Sequence, residues 1–182
     1  MCGIAGERRF DGRSADIGLI ARMNDCHAPR GPDGLGVQVH GPVGLGHRRL
    51  KIMDRSDLSQ QPMIDPALGL SIVFNGAIYN HPELRAELSG LGYRFYSEGD
   101  TEVLLKAYDC WGLDFVDHLQ GMFAFAIFER DSGRMVLGRD RAGGASGAGP
   151  CHCRQRRLAA DAGALPEGGQ RAQLRHRRRG DE

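Results

Sequence analysis

With 24 Lys and Arg against 23 Asp and Glu in 182 residues, a formal net charge of +1, the chain has room for one domain with a real core. That balance directs it to neither nucleic acid nor a membrane surface. No apolar run approaches the roughly 20 residues of a membrane span, and the N-terminus lacks a basic start followed by an apolar signal core; the expected location is the cytoplasm. The five cysteines (Cys2, Cys26, Cys110, Cys151, Cys153) are odd in number and spread out, which fits reduced thiols better than a disulfide framework.

Gly3 to Phe10 reads as a short strand that would place Cys2 at its mouth, with Asp11-Gly12 as a turn and Ser14 as a helix cap. Leu19, Met23 and Cys26 recur at helical spacing, which predicts an amphipathic helix over residues 15–28, ended by Pro29. Arg30-Gly31-Pro32-Asp33-Gly34 is dense in turn formers and must be either a tight, ordered loop or a very exposed one. Leu35 to His40 and Val43 to Leu50 read as two strands joined at Gly41-Pro42. The second contains Arg48-Arg49. Strand neighbours point to opposite faces, so one of these arginines should face inward.

Residues 55–68 read as a polar loop containing Gln61-Pro62, and Leu70 to Phe74 as a buried strand ending in Asn75-Gly76, a pair that alone signals an ordinary turn. Pro82 suits the first turn of a helix with Leu84, Leu88 and Leu91 as its apolar stripe. Tyr93 to Tyr96 is expected to be a strand. Gly99-Asp100-Thr101-Glu102 opens a further helix, whose buried face would be Leu104, Ala107, Tyr108 and Trp111. Phe123, Phe125 and Ile127 alternate with alanines in a strand; a turn at Asp131-Ser132-Gly133 leads to another at Met135-Val136-Leu137. Strands in groups and helices in pairs suit an α+β arrangement of two stacked sheets with helices outside, rather than repeating βαβ units.

From Ala142 to Glu182 there is no Ile, Val, Met, Phe, Tyr, Trp or Lys, and Arg, Gly and Ala dominate. Residues 1–141 read as the packed domain and 142–182 as a tail apart from it. Three readings of the tail stand. It is a disordered basic arm for nucleic acid or acidic partners, or Cys151-His152-Cys153 binds metal, though three ligands packed this closely without a second cluster make a poor site. The favoured reading is a reading-frame slip near codon 142.

At the other end, trimming of Met1 would leave Cys2 with both a thiol and a free α-amine, whose reference pKa values are about 8.5 and 7.7–8.0. An N-terminal amine beside a side-chain nucleophile is a known catalytic device. Met1-Cys2-Gly3-Ile4, the Arg-Gly-Pro-Asp-Gly loop, His47-Arg48-Arg49-Leu50, Asn75-Gly76-Ala77-Ile78-Tyr79-Asn80-His81, Gly99-Asp100-Thr101-Glu102 and Gly121-Met122-Phe123-Ala124-Phe125-Ala126 follow one another here. Together, from residue 1 to about Gly143, they resemble the class II glutamine amidotransferase domain of glutamine-hydrolysing asparagine synthases. The stretches Phe74 to Asn80 and Gly92 to Phe95 also look like the branch that amidates N-acetylglutaminylglutamine.

The resemblance implies an N-terminal-nucleophile fold, a four-layer αββα sandwich of two antiparallel sheets, here expected to be incomplete at the C-terminus. It implies glutamine as substrate and Cys2 as the nucleophile that forms a thioester. Arg49 would bind the substrate α-carboxylate, Leu50 and Ile52 would contribute to the substrate site, Asn75 and Gly76 would hold the oxyanion, and Asp100 would receive the ammonium. Ala77 departs from the family, which usually carries Glu there as a second acceptor for the ammonium. The parent reaction would be ATP-dependent amidation of a carboxylate, aspartate or N-acetylglutaminylglutamine. ATP and Mg belong to a synthetase domain expected in the full-length parent and without counterpart in these 182 residues, so no cofactor and no metal is expected in this chain. Because the family supplies further strands from the segment replaced by the tail, marginal folding and weak activity are expected. The alternative is an inactive remnant or a non-catalytic glutamine-binding module.

Overall fold

A computed structural model describes residues 2–52, 54–140 and 159–160. The elements in order are β1 (Gly3–Arg8), α1 (Ile17–Cys26), β2 (Gly34–His40), β3 (Val43–Arg49), β4 (Met63–Asp65), β5 (Leu70–Ile78), α2 (His81–Gly90), α3 (Asp100–Trp111), β6 (Gly121–Glu129), β7 (Met135–Arg139) and β8 (Ala159–Ala160). They form two antiparallel sheets, ordered β1-β3-β2 and β4-β5-β6-β7-β8.

The alternation within β3 sets the layers. Gly44 and Gly46 turn one face of the small sheet to α1, where a Cβ on Gly46 would lie 2.7 Å from Ile20 and 2.8 Å from Asn24. Two glycines let the helix settle directly on the strand, and Ile20 and Asn24 are both fully buried there. Val43 and Leu45, on the other face, join Val73, Ala126, Phe128 and Met135 in the layer between the sheets. On the far side of the large sheet, Leu84 and Leu88 of α2, Leu104 of α3 and Phe115 in the turn after α3 cover Ile72, Phe74, Phe125 and Ile127. Each such side chain contributes about 1.5–3 kcal/mol of burial. The order helix, sheet, sheet, helices is the expected four-layer sandwich.

Several local expectations are corrected. Asp16, not Ser14, caps α1, its carboxylate accepting from the Gly18 and Leu19 amides. Residues 55–68 are not all loop, since β4 pairs there with Leu70–Ile72. Tyr93 to Tyr96 form no strand; the Tyr96 and Ser97 amides instead donate to the buried Glu102 carboxylate. Leu91 falls past the end of α2 and is exposed. Asn75 and Gly76 are not a turn: they lie within β5, opposite Ala124 and Phe123 of β6. β6 is flanked by β5 and β7, and β7 pairs in turn with β8 at Val136 and Leu137. Of the tail, all but residues 159–160 lies outside the described residues, as do Met1 and Arg141.

Candidate active site

The two sheets part at one end around a cavity of about 200 Å³. Cys2, Arg49, Leu50, Ile52, Asn75, Gly76 and Asp100, every site residue expected from the sequence, line it, together with Ala77.

Cys2 immediately precedes β1, whose Gly3 pairs with Arg48, so the sulfur comes to lie beside the end of β3. The Leu50 amide donates to Sγ at 3.3 Å, and the Arg30 Nε donates to the Cys2 carbonyl at 3.4 Å. The Arg-Gly-Pro-Asp-Gly loop is therefore the tight, ordered alternative. Its Asp33 amide donates to the Arg49 carbonyl at 2.9 Å and its carboxylate accepts from the Lys51 amide at 2.9 Å.

The paired arginines divide as strand alternation requires. Arg48 lies on the α1 side, donating to the Asn24 carbonyl and the Asp25 carboxylate. Arg49 faces inward and is 4% exposed. Two of its N–H groups donate to the Ser56 carbonyl (2.8 Å) and the Asp54 carbonyl (2.5 Å). No carboxylate among the described residues pairs with it, so a planar cation with donors to spare borders the cavity. The Asp54 carboxylate braces this loop. It accepts from the Ser56 and Glu98 amides and the Ser59 hydroxyl, which outweigh its desolvation and hold its pKa down at about 2.

Across the cavity stands β5. The Phe74 amide donates to Gln61 Oε1 at 2.6 Å and the Ile78 amide to Asp100 Oδ2 at 3.0 Å, both away from β6. Backbone groups of alternate strand residues share an edge, so the N–H of Gly76, midway between them, points to this same edge, where Gly76 lines the cavity. A side chain at Gly76 is precluded, because its Cβ would sit 2.1 Å from the Met122 carbonyl oxygen. Asn75 shares a strand face with Val73, which packs toward the small sheet that carries Cys2, and is 6% exposed. Asp100 opens α3 and is 4% exposed; burial raises its carboxyl pKa, against the Ile78 amide and the His81 charge, which lower it.

Sequence reasoning missed Asp54, Ser59, Gln61 and Thr101 in the lining. A Gln-Pro pair in a polar stretch carries no signal of its own, and Thr101 appeared only as a member of the Gly-Asp-Thr-Glu motif. His47 was likewise overlooked. It is fully buried, and its Nε2 lies 3.1 Å from the Phe74 carbonyl, so that nitrogen carries the proton and donates.

Residues 1–146 match a family model described as a glutamine amidotransferase domain. Glutamine-hydrolysing asparagine synthetase 3 of Bacillus subtilis (strain 168) is 39% identical over 146 residues, covering 79% of this chain and 24% of that protein. Glutamine-hydrolysing asparagine synthetase B of Escherichia coli (strain K12) is 40% identical, covering 79% of this chain and 26% of that protein. Among solved structures, a glutamine phosphoribosylpyrophosphate amidotransferase from B. subtilis, complexed with ADP and GMP, aligns at 25% identity and a TM-score of 0.48 over 58% of this chain and 24% of that one. The chain spans about a quarter of the length of the asparagine synthetases it matches. It belongs to the glutamine amidotransferase domain family.

Proposed function

We propose that this chain hydrolyses glutamine to glutamate and ammonia in the cavity between the two sheets. The observation that carries the reading is the meeting of Cys2, Arg49 and Asp100, a nucleophile, a cation and an acid from three separate elements, around one space. Arg49 binds the substrate α-carboxylate through parallel hydrogen bonds, and Asp100 takes the α-ammonium. Leu50 and Ile52 wall the bound substrate. Glutamine held at both ends of its zwitterion presents its side-chain amide to the Cys2 sulfur, a gain in positioning.

Removal of Met1 exposes the Cys2 α-amine, which takes the thiol proton as sulfur attacks the amide carbon. Negative charge moves onto the amide oxygen, where the Asn75 side chain and the Gly76 N–H receive it. The C–N bond breaks, the amine returns its proton to the departing ammonia, and a thioester remains. Water then attacks the thioester carbonyl, glutamate leaves and the thiol is restored.

The parent reaction we infer is ATP-dependent amidation of a carboxylate, aspartate or N-acetylglutaminylglutamine, in which this half supplies ammonia. ATP and Mg²⁺ serve the synthetase half of that reaction, and no residue of this cavity is assigned to them. A cytoplasmic location is supported by the free thiols of Cys2, Cys26 and Cys110; no helix among the described residues is long and apolar enough to cross a membrane. Glutamate release from glutamine by the purified chain tests the reading against a non-catalytic glutamine-binding module, which would bind glutamine and leave it intact.

A further inference from the structure

The ladder between β4 and β5 ends at Met63 and Ile72, so from Phe74 onward no strand among the described residues neighbours the outer edge of β5. Buried side chains take its place. The Phe74 amide donates to Gln61 Oε1 at 2.6 Å, while the Phe74 carbonyl accepts from His47 Nε2 at 3.1 Å. Gln61 is 5% exposed, and its Nε2 continues to the Thr101 hydroxyl at 3.1 Å. One amide side chain thus reaches from the residue before Asn75 to the residue after Asp100. Exposed backbone edges normally pair with strands or water. Here the edge is pinned on both sides of Gly76, and its N–H is left facing the cavity.

We infer that Gln61 is a positioning residue that fixes the oxyanion donors on β5 relative to the acid at the start of α3. The inference rests on the glutaminase reading of the site. Its two hydrogen bonds have separable consequences. The bond to Phe74 sets where the Gly76 N–H points, which matters most when charge develops on the substrate oxygen. The bond to Thr101 sets where Asp100 sits, which matters for holding the ground-state substrate.

The test uses the full chain with Gln61→Met, Gln61→Glu and Thr101→Val. Gln61→Met keeps the length and loses both bonds; kcat for glutamine hydrolysis should fall roughly 10–100-fold, less than the roughly 10²–10³ of a donor lost outright, because the Gly76 N–H is displaced and not removed. Thr101→Val should act mainly on KM, with kcat changed less than about threefold. Gln61→Glu should restore most of kcat, since a carboxyl oxygen can accept from Phe74 and the Thr101 hydroxyl can reverse to donate. The ¹⁵N–¹H resonance of Gly76 should move in Gln61→Met and return in Gln61→Glu. A Gln61→Met protein that melts earlier yet keeps wild-type kcat per folded molecule, with the Gly76 resonance unmoved, overturns the inference. If Gln61→Met does not fold, the kcat and KM pattern and the Gly76 resonance of the other two variants decide. If the wild type releases no glutamate, the glutaminase reading fails, and the Gly76 resonance alone decides whether Gln61 positions the strand.

Discussion

The Asp100 carboxylate accepts the Ile78 amide at 3.0 Å, so the acid proposed to receive the substrate ammonium also ties α3 to the edge of β5. Burial raises its pKa above the ordinary carboxyl value of 3.8. The sign follows by linkage. Because the folded state favours the protonated acid, the stability it contributes is fully present below 3.8 and is lost as pH rises through the raised value. Ionising Asp100 in the fold is therefore costly, and the proposed ammonium contact uses the ionised form. Asp100→Asn, which can still accept from Ile78, should melt higher than wild type at pH 7. Its KM for glutamine should rise about 10-fold or more, the effect of losing a charge-assisted hydrogen bond. Calorimetry and steady-state kinetics on the same preparation check both halves.

Ala77 lines the cavity, half-buried, next to Gly76. Restoring an acid there supplies the second ammonium acceptor usual in asparagine synthases. Ala77→Glu should lower KM for glutamine by about 10-fold, from a gain of roughly 1.5–3 kcal/mol, with little change in kcat. A variant whose KM rises would show that another group already occupies that role.

His47 clamps β3 to β5 through the Phe74 carbonyl, and burial pushes its pKa down from 6.5 to about 4, with the Phe74 carbonyl opposing and the Arg49 charge adding. Here the depressed group is a base. The stability it contributes is fully present above 6.5 and is lost as pH falls toward about 4, where the unfolded chain binds a proton the folded one refuses. The difference in unfolding free energy between pH 7 and pH 4 should be larger in wild type than in His47→Gln by on the order of 3 kcal/mol. Urea titrations at a series of pH values measure it; parallel curves for the two proteins would contradict the assignment.

Much of the site was legible because its residues sit in short motifs that together carry a family resemblance, and their roles came with that resemblance. Alternation alone predicted that one of Arg48 and Arg49 turns inward, and Arg49 does. The five-residue Arg-Gly-Pro-Asp-Gly loop could be read as tight or exposed, and only long-range bonds from Asp33 to Arg49 and Lys51 decided it. The failures share one cause. Asn75-Gly76 has turn propensity, yet β6 pairs with it across the whole stretch and keeps it extended. Tyr93 to Tyr96 has strand composition, but the Glu102 carboxylate captures the amides at its end. Gln61 and His47 act only through partners distant in sequence, Thr101 and Phe74, so no local pattern reveals them.

The family match stops at residue 146, and the composition changes at about Ala142. If a reading-frame slip explains the change, the coding DNA translated in the other two frames after codon 141 should show a Gly-x-Lys-Pro-Leu-Tyr-like run. Finding none in either frame, together with a tail protected from proteolysis in the purified chain, would make residues 142–182 true structure of this protein.

The nucleophile is the centre of the account, and a glutamine-like electrophile followed by intact-mass and peptide analysis tests it most directly. The chain should be found without Met1, and one equivalent of label should sit on Cys2 rather than on Cys26 or Cys110, with glutamine slowing its attachment. Labelling that persists in Cys2→Ala, or that glutamine does not slow, would contradict it.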